Sequence, residues 1–363
     1  MAPSPDEDDA SLEIDLPGVF QQEAPPSTVA AARVDPLLPR HLFQAPDLEA
    51  EGVRPRPPAP APVPAPARRS HRERDPELPR VGTIMDRYRL EELLGTGGFA
   101  AVYRATHLLL HSQVAIKLLR PSVLRRRPAL AELLFAEARF GAAINHPNVA
   151  RIYDAIHVGD LVYLVMELVE GVTLAHAITA RGKLPFDLVL RVGVDVTLGL
   201  RAGFDQGLIH RDIKPANVVI ARTGEAKIVD LGLAQPFGAW AEEDLLQGRL
   251  ALAGTFGYMA PEQARDPRSV DFRADIYSLG VTLYEAFVGC PPFPTDDRER
   301  CVRMHERDPV PPPDQVVPGF PRAVSELLSS MLSKTASERP SSYGVLIERL
   351  RAAQRLLAGT REH

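Results

Sequence analysis

His210-Arg211-Asp212-Ile213-Lys214-Pro215-Ala216-Asn217 places an acid, a lysine and a carboxamide at fixed offsets in a loop between a helical and a β-type segment. Such a pattern rarely arises by chance. Asp212 can accept a hydroxyl proton, Lys214 can neutralise charge on a transferring phosphoryl group, and the Asn217 side-chain oxygen can ligate a hard cation such as Mg²⁺. Thirteen positions after Asn217 comes Val229-Asp230-Leu231-Gly232. A carboxylate at the end of a short apolar run is a second candidate ligand, although an aspartate at a turn also serves as a plain cap.

Upstream, Val114-Ala115-Ile116-Lys117 ends a strand-like run with a lysine after three apolar residues, and a buried ammonium there needs an anionic partner. The following helix, about 129–143, supplies a candidate, the alternative being a satisfied surface or interface acid. Leu130, Leu133, Leu134 and Phe140 mark its apolar stripe, and Glu137 falls inside that stripe. Further upstream, Leu94-Gly95-Thr96-Gly97-Gly98-Phe99-Ala100-Ala101-Val102 lies between two expected strands. A dinucleotide fold or a P-loop requires a strand-to-helix junction, so this is a Gly-rich hairpin. Its glycines allow backbone N–H groups close to phosphate oxygens, and Val102 can cover a flat base.

Around these motifs the chain divides by composition. About half of its 35 prolines precede Arg80, with the run 55–66 alternating proline with alanine and arginine, so this part cannot bury a core. Residues 1–84 are therefore expected to be a disordered Pro/Ala/Arg-rich arm, either a solvated tail or a polyproline docking segment for a partner. From Tyr88 short β-type runs follow (88–94, 101–106, 113–118, 149–157, 161–166), and after Gly171 the periodicity turns helical (185–206, 275–288, 323–332, 343–357). The net charge of −5 gives no pointer to nucleic acid. No apolar stretch is long enough to span a bilayer and the acidic start is unlike a signal peptide, which implies a cytoplasmic address. Cys290 and Cys301 lack metal or disulfide spacing and are expected to be buried or idle.

The order and spacing of the motifs resemble the eukaryotic-like (Hanks-type) protein kinase family, in particular its bacterial Ser/Thr branch, over residues 85–357. The resemblance implies an α+β fold of two lobes, a β-rich N-lobe (about 85–168) and an α-rich C-lobe (about 169–357), with a short tail at 358–363. It implies ATP and Mg²⁺ as cofactors and proteins with Ser/Thr acceptors as partners. By similarity, residues 94–102 would cover the phosphates, Lys117 would hold the α and β phosphates and pair with Glu137, and Asp212 would be the catalytic base. Asn217 and Asp230 would hold Mg²⁺. Glu167 to Val169, after the gatekeeper Met166, would bond adenine between Ala115 and Val219. Lys214 marks the Ser/Thr branch. Gly254 to Glu262 resembles the substrate-binding segment, with Thr255 placed to bond Asp212 or Lys214 and Glu262 to pair with Arg339, while Asp275 would anchor the catalytic loop.

Three departures stand out. Ala100 replaces a glycine of the phosphate loop, Leu231 replaces a phenylalanine, and Gly141 stands where the family packs a larger apolar side chain, which implies a less firmly held helix. Residues 233–254 contain no Ser, Thr or Tyr, so activation by phosphate on that stretch is not expected. Glu242, Glu243 and Asp244 would be its permanent negative charge, facing Arg211, or else a solvated acidic loop. The rival class of function is a pseudokinase that binds nucleotide or partners without transfer.

Overall fold

The computed structural model describes residues 78–231, strand Gln235–Pro236 and residues 256–359. Alternating apolar residues build the first half. Strands β1 (Ile84–Met85), β2 (Tyr88–Thr96), β3 (Ala100–His107), β4 (Gln113–Leu119), β5 (Ile152–Val158) and β6 (Leu161–Glu167) form one antiparallel sheet in the order β1-β2-β3-β4-β6-β5. The period of two sends successive side chains to opposite faces. Leu90, Tyr103, Ile116 and Leu118 fill one face, while Ala115, Leu119, Leu164 and Met166 fill the other beneath Leu134 and Ala138. Those two residues belong to helix α2 (Ala129–Ala142), which follows the short α1 (Pro121–Arg126).

The sheet reaches further back than composition suggests. Residues 78–84, expected to belong to the preceding arm, are part of this lobe: Leu78 packs on its core and the Tyr103 hydroxyl donates to the Pro79 carbonyl at 3.0 Å. Prolines at 76 and 79 hid that anchorage, which is made by tertiary contacts and not by local pattern. Residues 1–77 lie outside the described residues. At the other end the final helix runs to Gly359, two residues beyond the expected end of the domain.

The second half is helical: α3 (Leu174–Arg181), α4 (Phe186–Phe204), α5 (Pro261–Arg265), α6 (Arg273–Val288), α7 (Arg298–Arg307), α8 (Pro313–Val316), α9 (Arg322–Met331) and α10 (Tyr343–Gly359). Helix α6 is buried on nearly every side and is the axis of the lobe, with 13 of its 16 residues buried. It stops at Gly289, whose φ of 95° is the left-handed cap that glycine adopts without cost. Short strands β7 (Gly171–Thr173), β9 (Val218–Ala221) and β10 (Ala226–Ile228) form a three-stranded sheet, and β8 (Leu208–Ile209) pairs with β11 (Gln235–Pro236).

The strand expected at 149–157 begins only at Ile152, because its first residues are claimed by the other lobe. Ala150 N donates to the Ile228 carbonyl at 2.8 Å, and the buried Asn148 side chain donates to the Ala226 carbonyl at 2.8 Å. Helices α3 and α7 have no counterpart in the periodicity reading. The cysteines divide: Cys301 is buried and Cys290 exposed, and burial raises both thiol pKa values, so neither is a ready nucleophile.

Gly203 of α4 borders a small pocket lined also by Ile144, Leu208, His210 and Leu231. A methyl group at Gly203 would meet Ile144 at 3.7 Å and Leu208 at 4.0 Å, ordinary van der Waals contact. Gly203→Ala is therefore expected to raise stability by roughly 0.5–1 kcal/mol through lower unfolded-state entropy. Chemical denaturation read by circular dichroism checks this, and an unchanged or lower midpoint overturns it.

Candidate active site

Between β8 and β9 the chain adopts a shape that it cannot hold by itself. Arg211 has φ of 66°, a left-handed conformation that strains a non-glycine residue by ~1–3 kcal/mol. The compensation comes from α6. The Asp275 carboxylate, 1% exposed, accepts the His210 N–H at 3.0 Å, the Arg211 N–H at 2.7 Å and the Tyr343 hydroxyl at 3.0 Å. Burial pushes the pKa of Asp275 up, and His210 with these hydrogen bonds works against it. Gln263 adds a second brace, donating to the Arg211 carbonyl at 2.9 Å.

On this braced loop the predicted groups converge. Lys214 Nζ stands 2.6 Å from Asp212 Oδ2, and Asn217 Nδ2 donates to the Asp212 main-chain oxygen at 3.0 Å and to Oδ2 at 3.2 Å. Burial raises the proton affinity of Asp212 and Lys214 opposes that rise, the balance lying above the usual carboxylate pKa. Because the Asn217 nitrogen is committed to Asp212, the amide oxygen is directed away from it, as a hard-cation ligand requires. Val229 N donates to the Asn217 carbonyl at 3.0 Å, which ties this loop to the strand end that carries Asp230.

The N-lobe supplies the opposing half. Lys117, on β4, is bonded to both oxygens of Glu137 from α2 at 2.9 and 3.0 Å, and to Asp230 Oδ1 at 2.7 Å. Burial disfavours the Lys117 charge, but the Asp230 and Glu137 carboxylates outweigh it and its pKa is raised. Glu137 moves upward too, because burial and the nearby Asp230 outweigh the pull of Lys117. One cation thus serves two acids. The expected partner of Lys117 is present, and the expected metal ligand Asp230 lies within the same cluster.

The remaining predicted residues are distributed over both lobes. Ala115 and Met166 are buried in the β4–β6 pair, Val219 is buried on β9, and Val102 is half-buried on β3. Glu167 ends β6, and its carboxylate accepts Lys227 from β10 and the Arg151 N–H at 3.2 Å. Val169 follows in the connection to β7. Leu94, Thr96, Gly97 and Gly98 are exposed, Gly95 and Phe99 half-buried. That hairpin is held from outside: Gly97 N donates to the Ala100 carbonyl at 2.8 Å, Arg120 N to the Phe99 carbonyl at 2.8 Å and Arg120 Nε to the Gly97 carbonyl at 3.0 Å. Ala100 packs on the cluster of Leu119, Leu134 and Leu164, so its methyl group is absorbed by the lobe's core.

Gly141 acquires a reason. A Cβ there would lie 2.4 Å from Ile152 Cδ1 and 2.9 Å from Leu231 Cδ1, so these two side chains occupy the room that a larger residue would take. The helix is packed there, not loosened. Gly141→Leu is expected to force Leu231 and Ile152 aside, costing roughly 1–3 kcal/mol of stability and lowering activity. Thermal unfolding and turnover check this, and higher activity would contradict it.

Arg339 and Glu262 form the expected pair, in a fork of 2.5 and 2.8 Å. Thr255, Glu242, Glu243 and Asp244 lie outside the described residues. Arg211 is buried, and burial lowers its pKa to about 10 against the opposing Asp275. Sequence reading missed Tyr343, Gln263 and Lys227, whose partners lie 68, 52 and 60 residues away. No local signal could have marked them.

The protein kinase domain model matches residues 88–351. The chain is similar to serine/threonine-protein kinase PknB of Mycobacterium leprae, 36% identical over 260 residues, covering 70% of this chain and 41% of that protein. It is 41% identical over 234 residues to PknB of Mycobacterium tuberculosis, covering 63% and 37%, and 34% identical over 272 residues to PknH of Mycobacterium bovis, covering 75% and 45%. The chain thus spans less than half the length of these curated relatives. Among the described residues no helix is long and apolar enough to cross a membrane. Together the two-lobed fold, the converged motifs and these matches show that the chain belongs to the protein kinase family, in its bacterial Ser/Thr branch.

Proposed function

We propose that this chain transfers the γ-phosphoryl group of ATP to Ser or Thr hydroxyls of proteins. The observation that carries the reading is the joint presence of two clusters, Lys117–Glu137–Asp230, which joins the two lobes, and Asp212–Lys214–Asn217 on the C-lobe loop. ATP fits as the substrate, with adenine at Glu167 to Val169 between Ala115 and Val219, and its phosphates under residues 94–102. Asn217 and Asp230 offer oxygen donors that would hold Mg²⁺, and the ion would supply positive charge against the phosphates. Lys117 holds the α and β phosphates and Glu137 fixes its position. Asp212 orients the acceptor hydroxyl and takes its proton, while Lys214 lies beside it to offset charge on the phosphoryl group. Catalysis of this kind is chiefly positioning and electrostatics.

Residues 254–262 would form the platform for the acceptor peptide, with Thr255 next to Asp212 and Lys214. The tie from Gln263 to the Arg211 carbonyl supports that placement, because it fixes the end of this segment beside the catalytic loop. We assign residues 1–77 to an arm that precedes the domain and offers its proline-rich part to a partner. Dependence on ATP favours a cytoplasmic location for the domain. A pseudokinase reading gains nothing from the site, since each of the six charged or amide groups that transfer needs is in its cluster. Incubation of the purified chain with labelled ATP, Mg²⁺ and a generic basic protein tests the proposal. Label on Ser or Thr supports it, and ATP binding without transfer to itself or to the protein rejects it.

A further inference from the structure

Three consecutive residues of the segment after Thr255 are each fastened to a different support. Phe256 lies under the guanidinium of Arg298, which stands 4.1 Å from the ring centroid. Gly257 has its backbone against the buried ring of His305, whose Nδ1 is 2.9 Å from the Tyr277 hydroxyl and whose ring meets Phe293 edge-on at 5.0 Å. Tyr258 donates its hydroxyl to the Glu285 carboxylate of α6. His305 and Arg298 belong to α7, and Lys334 fixes the far end of that helix by donating to the His305 carbonyl at 2.8 Å. Residues 256–258 are therefore a rigid surface and Arg298 a fixed part of it.

Arg298 is the first residue of α7, where the helix dipole disfavours a cation, and its side chain is exposed. Among the described residues no carboxylate lies within ion-pair distance of it. Its acidic neighbours on the helix have other duties: Asp297 accepts the Arg300 N–H at 2.9 Å, and Glu299 stands 3.6 Å from Arg303. The contact with the Phe256 ring forms no hydrogen bond to an acid, so the guanidinium keeps N–H donors for a planar anion. A cation kept at an unfavourable helix position, held by an aromatic ring and without an acid partner among the described residues, is a recognition element suited to an incoming anion.

We propose that Arg298, stacked on Phe256, is a specificity-determining residue that binds an acidic side chain of the substrate close to the acceptor Ser or Thr. The assignment rests on residues 254–262 being the peptide platform. It makes the preferred substrates acidic near the acceptor.

Binding of fluorescent peptides with alanine at the acceptor position tests this without requiring turnover. The peptides carry aspartate, alanine or lysine at the flanking positions, and Kd is read by anisotropy on the full chain with ATP and Mg²⁺. The wild type is expected to bind the acidic series about fivefold tighter than the neutral one, the upper range for a solvent-exposed ion pair. Arg298→Lys should keep that order, and Arg298→Glu should reverse it in favour of the lysine series. A wild type without preference, or an Arg298→Glu variant with the wild-type order, overturns the proposal. Labelled-ATP transfer by the same preparations reports separately on kinase activity, so a failed platform assignment and a failed kinase reading are told apart.

Discussion

Asp212→Asn is expected to lower phosphoryl transfer by ~10²–10⁴-fold, the range that positioned general-base catalysis supplies, while ATP binding stays within about twofold of wild type. The substitution keeps size and shape but exchanges a carboxylate for an amide. Two donors meet that carboxylate, Lys214 Nζ at 2.6 Å and Asn217 Nδ2 at 3.2 Å, both on Oδ2. An asparagine can still present its oxygen to both and so preserve the loop, but it cannot accept the hydroxyl proton. Nucleotide affinity should survive because Lys117, Glu137 and Asp230 form their cluster without Asp212. Single-turnover transfer and a direct ATP-binding titration separate the two effects. Near-normal transfer by the variant would mean that another group takes the proton.

Arg339→Ala is expected to destabilise the domain by ~3–5 kcal/mol, the cost of leaving the partner of a buried ion pair uncompensated. The Arg339 side chain is fully buried and satisfies four groups at once. It pairs with both oxygens of Glu262, donates to the Ser333 carbonyl at 2.9 Å and the Arg273 carbonyl at 2.8 Å, and lies 4.9 Å from the Tyr277 ring centroid. Alanine would orphan two carbonyls as well as a carboxylate. The melting temperature should fall on the order of 10 °C, and a change of only a degree or two would show that water replaces the guanidinium. Because the effect is structural, adding Glu262→Gln to Arg339→Ala should recover part of the loss by removing the stranded charge.

Legibility in the sequence followed the range of the forces involved. The longer strands of the N-lobe and helices α2, α4, α6, α9 and α10 announced themselves by local period, and the cluster of Asp212, Lys214 and Asn217 by spacing within one loop. Helix α7 did not, because its sequence RERCVRMHER has only Cys301 and His305 buried, too sparse a stripe to recognise. The supports of the site were equally silent: Asp275 was expected as the loop's anchor, but Tyr343, which completes its hydrogen bonds, was not. Gly141 shows the same limit in reverse. Its missing side chain reads locally as a weakness, and only the positions of Ile152 and Leu231 reveal that the volume is filled.

The two halves of the site rest on cores of very different size. Asp212 and Asn217 stand over one large cluster built from α4, α6, α9 and α10, whereas Lys117 stands between two much smaller ones on the faces of the N-lobe sheet. Resistance to local opening grows with the apolar surface that must be exposed, so the smaller lobe is the first to fluctuate away from its native packing. Such an excursion would part Lys117 from Glu137 while the catalytic loop, pinned to α6, stays ordered. Heat or mild denaturant would then silence the enzyme before it unfolds it, and a partner that merely steadies the sheet could restore turnover from well outside the cleft.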